Sequence, residues 1–210
     1  MANTRELQSR MKSIKDTMKI TSAMHMIASS NLQKAKKNLE ETEPYFYTLQ
    51  IMIAGILGHM QGGIEHQYFD ERPEIKEADR KKGYIVVTAD KGLAGGYNHN
   101  VIKLAQEFLD KPGHNELFVL GQLGRSYFEK KNVDVDTSFK YTVQKPTMHR
   151  ARVIAEKMLD LFNRKELDEV HIIYTRMENA VEMVAETKQL LPLQSGAFCE
   201  VPAGSVYGRK

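Results

Sequence analysis

Cysteine is nearly absent from this 210-residue chain: Cys199 stands alone, which excludes an intrachain disulfide and any cysteine-based metal cluster. Tryptophan is missing altogether. No run approaches the roughly 18 to 20 consecutive apolar residues that a membrane-spanning helix requires. The first residues, MANTRELQSR, have neither the apolar core of a secretion signal nor an acid-free transit composition. A reducing compartment is therefore expected. From Met1 to Glu43 there is neither glycine nor proline, and the first 44 residues contain no aromatic side chain and only two arginines. The first absence removes the common helix breakers; the second removes the stacking groups by which single-stranded nucleic acid is usually held.

What is present is a core-forming chain with 41% hydrophobic residues, ample for a full domain with an appendage. A net charge of +3 conceals an uneven distribution. Residues 1–37 carry eight basic side chains against two acidic ones (Glu6 and Asp16), whereas the remainder carries 22 against 25. Such asymmetry turns the first segment toward something acidic: nucleic acid, lipid headgroups or an acidic protein surface. An Ala/Met/Thr-based helix lacks the Trp, Phe and Leu face of a membrane-surface helix, which leaves protein partners favoured over nucleic acid.

Good helix formers without interruption predict one helix from the N-terminus to Glu43, roughly 60 Å long and far too long to lie within a compact domain of this size. Asn3, followed by Glu6, supplies an N-cap. Leu7, Met11, Ile14 and Met18, then Ala28, Leu32, Ala35 and Leu39, fall on one alternating four–three register, with Thr21 and His25 at the intervening places. That register is a coiled-coil seam. Ile20, Met24 and Ile27 add a short second stripe, so the middle of the helix can touch more than one neighbour. Methionines there suit a surface that slides or repacks. Pro44 is expected to end or kink this helix, and YFYTLQIMIAGIL to form a further short helix stopping near Gly58.

The expected organisation is a coiled-coil helix and its continuation over 1–58, a polar connection over 59–82, an α/β domain over 83–193 and a tail over 194–210. Within the domain, YIVVTAD, ELFVLGQ, VHIIYTRM and VEMVAETKQLLPL read as strands, with FKYTVQ as a further one. NVIKLAQEFLD, GRSYFEKKN and HRARVIAEKMLDLF read as helices between them. Alternation of this kind implies a three-layer α/β fold with a mainly parallel sheet of about five strands. Only ENA separates the last two, which implies an antiparallel hairpin at one edge.

One loop looks chemical. TADKGLAGGYN, residues 88–98, joins a strand to a helix, where α/β enzymes bind ligands. Its glycines at 92, 95 and 96 do not make the dinucleotide spacing, and no Gly-Lys-Ser/Thr follows to hold phosphate. Asp90 is a candidate base or metal ligand but has no second carboxylate or histidine paired with it in sequence, and the favoured role of the glycines is a tight turn permitting close helix packing. The seven histidines match no metal-ligand spacing. No catalytic residue, cofactor site or metal site is assigned. A small-ligand enzyme built on residues 88–98 and a nucleic-acid binder built on the basic helix remain as alternatives.

Residues 13–37 resemble the N-terminal helix of ATP synthase gamma subunits through a core that stands here at Ile14, Thr17, Lys19 to Thr21, Ala23, Met24 and Met26 to Ala28. TADKGLAGGYN resembles a glycine-rich loop of the same family, and KPTMHRARVIAEKMLDLF, VHIIYTRMEN and the LLPL at 190–193 resemble its later helix and strands. The resemblance covers residues 3 to 193. It implies a non-catalytic central-stalk, or rotor, subunit that couples proton or other ion flow to ATP synthesis on alpha and beta subunits. It further implies a coiled coil with a long C-terminal helix, contacts of the α/β domain with the epsilon subunit and the ring of membrane subunits, and a place at the cytoplasmic face of the cell membrane. By resemblance, Lys15, Lys19, Ile20, Met24 and Ile27 face the surrounding subunits or the partner helix. Leu7, Met11, Ile14, Met18 and Leu32 join them as partner-binding residues along the seam. The chain departs from the family at Met18, Ser22, His25 and Asn31, where charged or more polar side chains are usual. After LLPL it runs QSGAFCEVPAGSVYGRK without the family's C-terminal helix, so a truncated gamma subunit is the expected form, with a gamma whose C-terminal helix comes from a separate polypeptide and a diverged relative that no longer rotates as the alternatives.

Overall fold

A computed structural model describes residues 3–59, 65–133, 135–136, 139–179 and 182–198. It divides into two compact units: residues 1–59 with 198–210, which hold a long helix, and an α/β unit spanning residues 60–197. Cys199 and the end of the tail lie outside the described residues.

The helix, α1, runs from Thr4 to His59, 56 residues with Pro44 inside it. Asn3 caps it as expected: its Oδ1 accepts from the Arg5 backbone at 3.3 Å. Glu6 does not close the capping box but bonds Arg10 one turn on, at 2.7 Å. Pro44 neither ends the helix nor separates a second one, contrary to expectation. The reason lies in its surroundings: residues 40–45 are exposed, so the carbonyl that loses its partner at Pro44 turns to water rather than being stranded in a core. Thr48 bonds the Pro44 carbonyl at 2.8 Å and keeps the next turn closed.

The α/β unit holds four described strands rather than five: β1 (Lys81–Val87), β2 (His114–Leu120), β3 (Glu169–Met177) and β4 (Met183–Leu191). Their order is β2-β1-β3-β4. β1 runs parallel to both β2 and β3, and β4 returns antiparallel along β3, giving the edge hairpin that the short spacing implied. The helices are α2 (Tyr97–Leu109), α3 (Gln122–Lys130) and α4 (Met148–Asn163). Alternation along the strands divides the core in two. Tyr84, Val86, Leu117 and Val119 pack with Val101 and Ala105 of α2 and Phe128 of α3. Ile85, Phe118 and Val170 face the other way, against Met158 and Phe162 of α4. Both sheet faces are thus covered, which is why β1 is buried along five successive residues.

FKYTVQ is not a strand. Phe139 is buried on the second face, but the backbone from Tyr141 onward makes no ladder. It is held instead by side chains, as described below.

The segment before β1 is fastened by Arg72. Its guanidinium bonds Asp168 at 2.7 Å, the Leu167 carbonyl at 2.8 Å and the Phe162 carbonyl at 2.8 Å, and lies over the Phe162 ring at 4.3 Å. Asp168 also accepts the Lys81 backbone N–H at 2.9 Å, so one buried pair ties this segment to the start of the sheet.

Candidate functional site

The loop over residues 88–98 and the face of α1 are the two places that the sequence singles out, and their geometries are very different. In the loop, Asp90 is occupied by the backbone. Oδ1 accepts from Gln122 N at 3.2 Å, and Oδ2 accepts from Val143 N at 3.0 Å and Gln144 N at 3.1 Å. These bonds tie the end of β1 to the start of α3 and to the 139–144 segment, and they use both oxygens of the only acid in the loop. Asn98 completes the brace by accepting from Ala89 N at 2.8 Å. The carboxylate acts as a clamp, not as a base waiting for a substrate. Among the described residues, no group of three or more His, Cys, Asp and Glu side chains is placed to hold a metal ion.

The loop glycines meet the expectation only in part: Gly96 stands at the N-terminus of α2, where a Cβ would touch Asn100 at 3.7 Å. A side chain at Gly92 or Gly95 would meet open space, so neither serves helix packing; Gly95 supplies a positive φ of 55°. Close packing occurs at Gly121, where a Cβ would lie 2.2 Å from the Thr88 carbonyl oxygen. Thr88 is central to that approach: its hydroxyl donates to Leu120 O at 2.8 Å and accepts from Gly124 N at 3.0 Å. The loop exposes Leu93 almost completely, at 93%, on a backbone with φ 64°.

Along α1 the site residues are brought together by a single continuous helix. Leu7, Met11, Ile14, Met18 and Leu32 lie along one stripe, each at least half exposed. Ile20, Met24 and Ile27 lie beside it, 49% to 63% exposed. Lys15 and Lys19 flank the stripe; Lys19 pairs with Asp16 at 3.4 Å, one turn back on the same helix. Ile14, Met18, Thr21 and His25, four successive seam positions, line an open depression with Ser13 and Thr17.

Because Pro44 leaves the helix intact, the same four–three register runs on through Thr42, Phe46, Leu49, Ile53 and Ile56. The seam therefore extends from Leu7 to Ile56 without a change of phase. Sequence reasoning stopped it at Leu39 because Pro44 was read as a boundary; the apolar spacing beyond it was the available signal. A stripe of this kind is the pattern by which one helix packs along another.

Comparison with known proteins agrees with the motifs in the helix and the loop. The family model described as ATP synthase matches residues 3–206. The ATP synthase gamma chain of Ruminiclostridium cellulolyticum is 47% identical over 199 residues, covering 94% of this chain and 67% of the relative. The chain belongs to the ATP synthase gamma-chain family. A second gamma chain, from Acetivibrio thermocellus, is 45% identical over 92% of this chain and 65% of its own length. The chain thus spans about two thirds of the length of these curated relatives. Among solved structures, the central stalk and c-ring of Tetrahymena thermophila mitochondrial ATP synthase matches with a TM-score of 0.61 at 22% identity. The match covers 82% of this chain and 72% of that one, a likeness of fold. No helix among the described residues is long and apolar enough to cross a membrane.

Proposed function

We propose that this chain is a central-stalk, or rotor, subunit of an ATP synthase, with no catalytic site of its own. The observation that carries it is α1: 56 unbroken residues with an exposed seam in one register from Leu7 to Ile56. Most of the stability of a helix in a protein comes from packing its apolar face, and a seam of this length calls for a partner. Membership of the gamma-chain family supports a second stalk helix as the occupant of the seam, with alpha and beta subunits around it. Lys15, Lys19, Ile20, Met24 and Ile27 form a widened stretch in the basic N-terminal half of the helix, suited to acidic and apolar surfaces of those subunits. The α/β unit, with Asp90 locked in backbone bonds, serves as a rigid mount and contacts the epsilon subunit and the membrane ring. The assembled complex lies at the cytoplasmic face of the membrane and couples proton or other ion flow to ATP synthesis on alpha and beta.

The test is assembly. The purified chain is mixed with alpha and beta subunits of a close relative, together with a peptide of that relative's C-terminal gamma helix. A stable complex with ATP hydrolysis above that of alpha and beta alone is the expected result. Failure to bind alpha and beta in the presence of the peptide would overturn the proposal.

A further inference from the structure

The seam of α1 has a property that the stalk role does not use: it is complementary to itself when reversed. The register maps onto its own reverse about Ser30, so that every seam position from Leu7 to Ile53 meets another seam position. Leu7 falls opposite Ile53, Met11 opposite Leu49 and Ile14 opposite Phe46. All six are between 36% and 60% exposed in the single chain. From this we infer that the free chain pairs through α1 with a second copy of itself, the two helices antiparallel and centred near Ser30.

Charge selects the direction. Residues 1–37 carry eight basic and two acidic side chains, while residues 38–59 carry Glu40, Glu41 and Glu43 with no Lys or Arg. Antiparallel pairing lays the basic part of one helix over the acidic part of the other. More specifically, Lys15 and Glu43 each follow a seam residue directly, and these flanking positions face each other across an antiparallel pair. Lys15 of one copy therefore meets Glu43 of the other, twice in the symmetric dimer. Among the described residues Lys15 has no ion pair, so it is available for this contact. Glu43 is exposed and accepts from Tyr47 of its own helix at 3.1 Å through Oε1. Parallel pairing in register would instead set Lys15 beside Arg10 of the other copy, a repulsive contact. In an assembled stalk the same surface is taken by the second stalk helix, so the dimer is a form of the unassembled chain.

Sedimentation equilibrium of the whole chain tests this, with circular dichroism of each variant to establish that the helix is retained. The wild-type chain is expected to dimerise at micromolar concentration. Lys15→Glu replaces two attractions with two repulsions and is expected to weaken the dimer about tenfold. The double exchange Lys15→Glu with Glu43→Lys restores the wild-type constant to within about twofold. A chain that stays monomeric to its solubility limit overturns the inference. So does a dimer that Lys15→Glu leaves unchanged or tightens, the latter being the sign of parallel pairing. Absence of recovery in the double exchange counts equally against it. These outcomes are independent of the stalk assignment, which is read from binding to alpha and beta.

Discussion

Asp90, Gly121 and Tyr84 show how single residues secure the α/β unit. Asp90 accepts three backbone N–H groups from two separate segments. Replacing it with alanine strands those donors and is expected to cost about 2 kcal/mol in urea unfolding. Gly121 combines φ of 92° with a backbone approach that leaves no room for a methyl group. Gly121→Ala is expected to cost about 3 kcal/mol or more by the same measurement. Tyr84, buried in the first half of the core, has its phenol pushed up to about 12 by burial first and then by the nearby charges of Glu169 and Glu77. A raised folded value means that the unfolded chain releases this proton first as the pH rises. Tyr84 therefore stabilises the fold below pH about 10, and the contribution is lost as the pH climbs from there toward about 12. Tyr84→Phe removes that component, so its stability should fall less steeply over the same window in a pH series of unfolding curves. Asp90 also marks a limit of sequence reasoning: its partners lie 32, 53 and 54 residues away, and no local pattern announces them.

At the scale of elements, the long helix is the feature most fully written in the sequence, and Pro44 is where it was misread. The proline penalty is real, about 3 kcal/mol relative to alanine within a helix. It does not decide the outcome here because the affected turn is solvent-exposed and the apolar register resumes in phase at Phe46. Pro44→Ala is accordingly expected to raise the thermal midpoint of the helix, followed by circular dichroism, without altering the seam. The four strands and the three helices of the α/β unit were legible because hydrophobic runs alternate with amphipathic segments. FKYTVQ was not: it has strand-like composition but gains its position from Asp90 and from burial of Phe139, neither of which is a local property. The Arg72–Asp168 pair belongs to this scale as well, since it fastens the segment before β1 to the loop before β3. With both side chains buried, Arg72→Ala leaves a carboxylate without its partner and is expected to destabilise the α/β unit by about 3–5 kcal/mol in urea unfolding.

For the whole molecule, the two units divide the work: one presents a long apolar seam with a basic N-terminal half, the other is a braced sheet without an open catalytic constellation among the described residues. That division, together with membership of the gamma-chain family, makes rotation the central claim. The most direct measurement is rotation itself. The chain, with a marker attached at Lys91→Cys in a Cys199→Ser background, is assembled with surface-fixed alpha and beta subunits and the second stalk helix. ATP is then added under single-molecule observation. Rotor function predicts that the marker turns in one sense at a rate set by ATP concentration; an assembled complex that hydrolyses ATP while the marker stays still would contradict it.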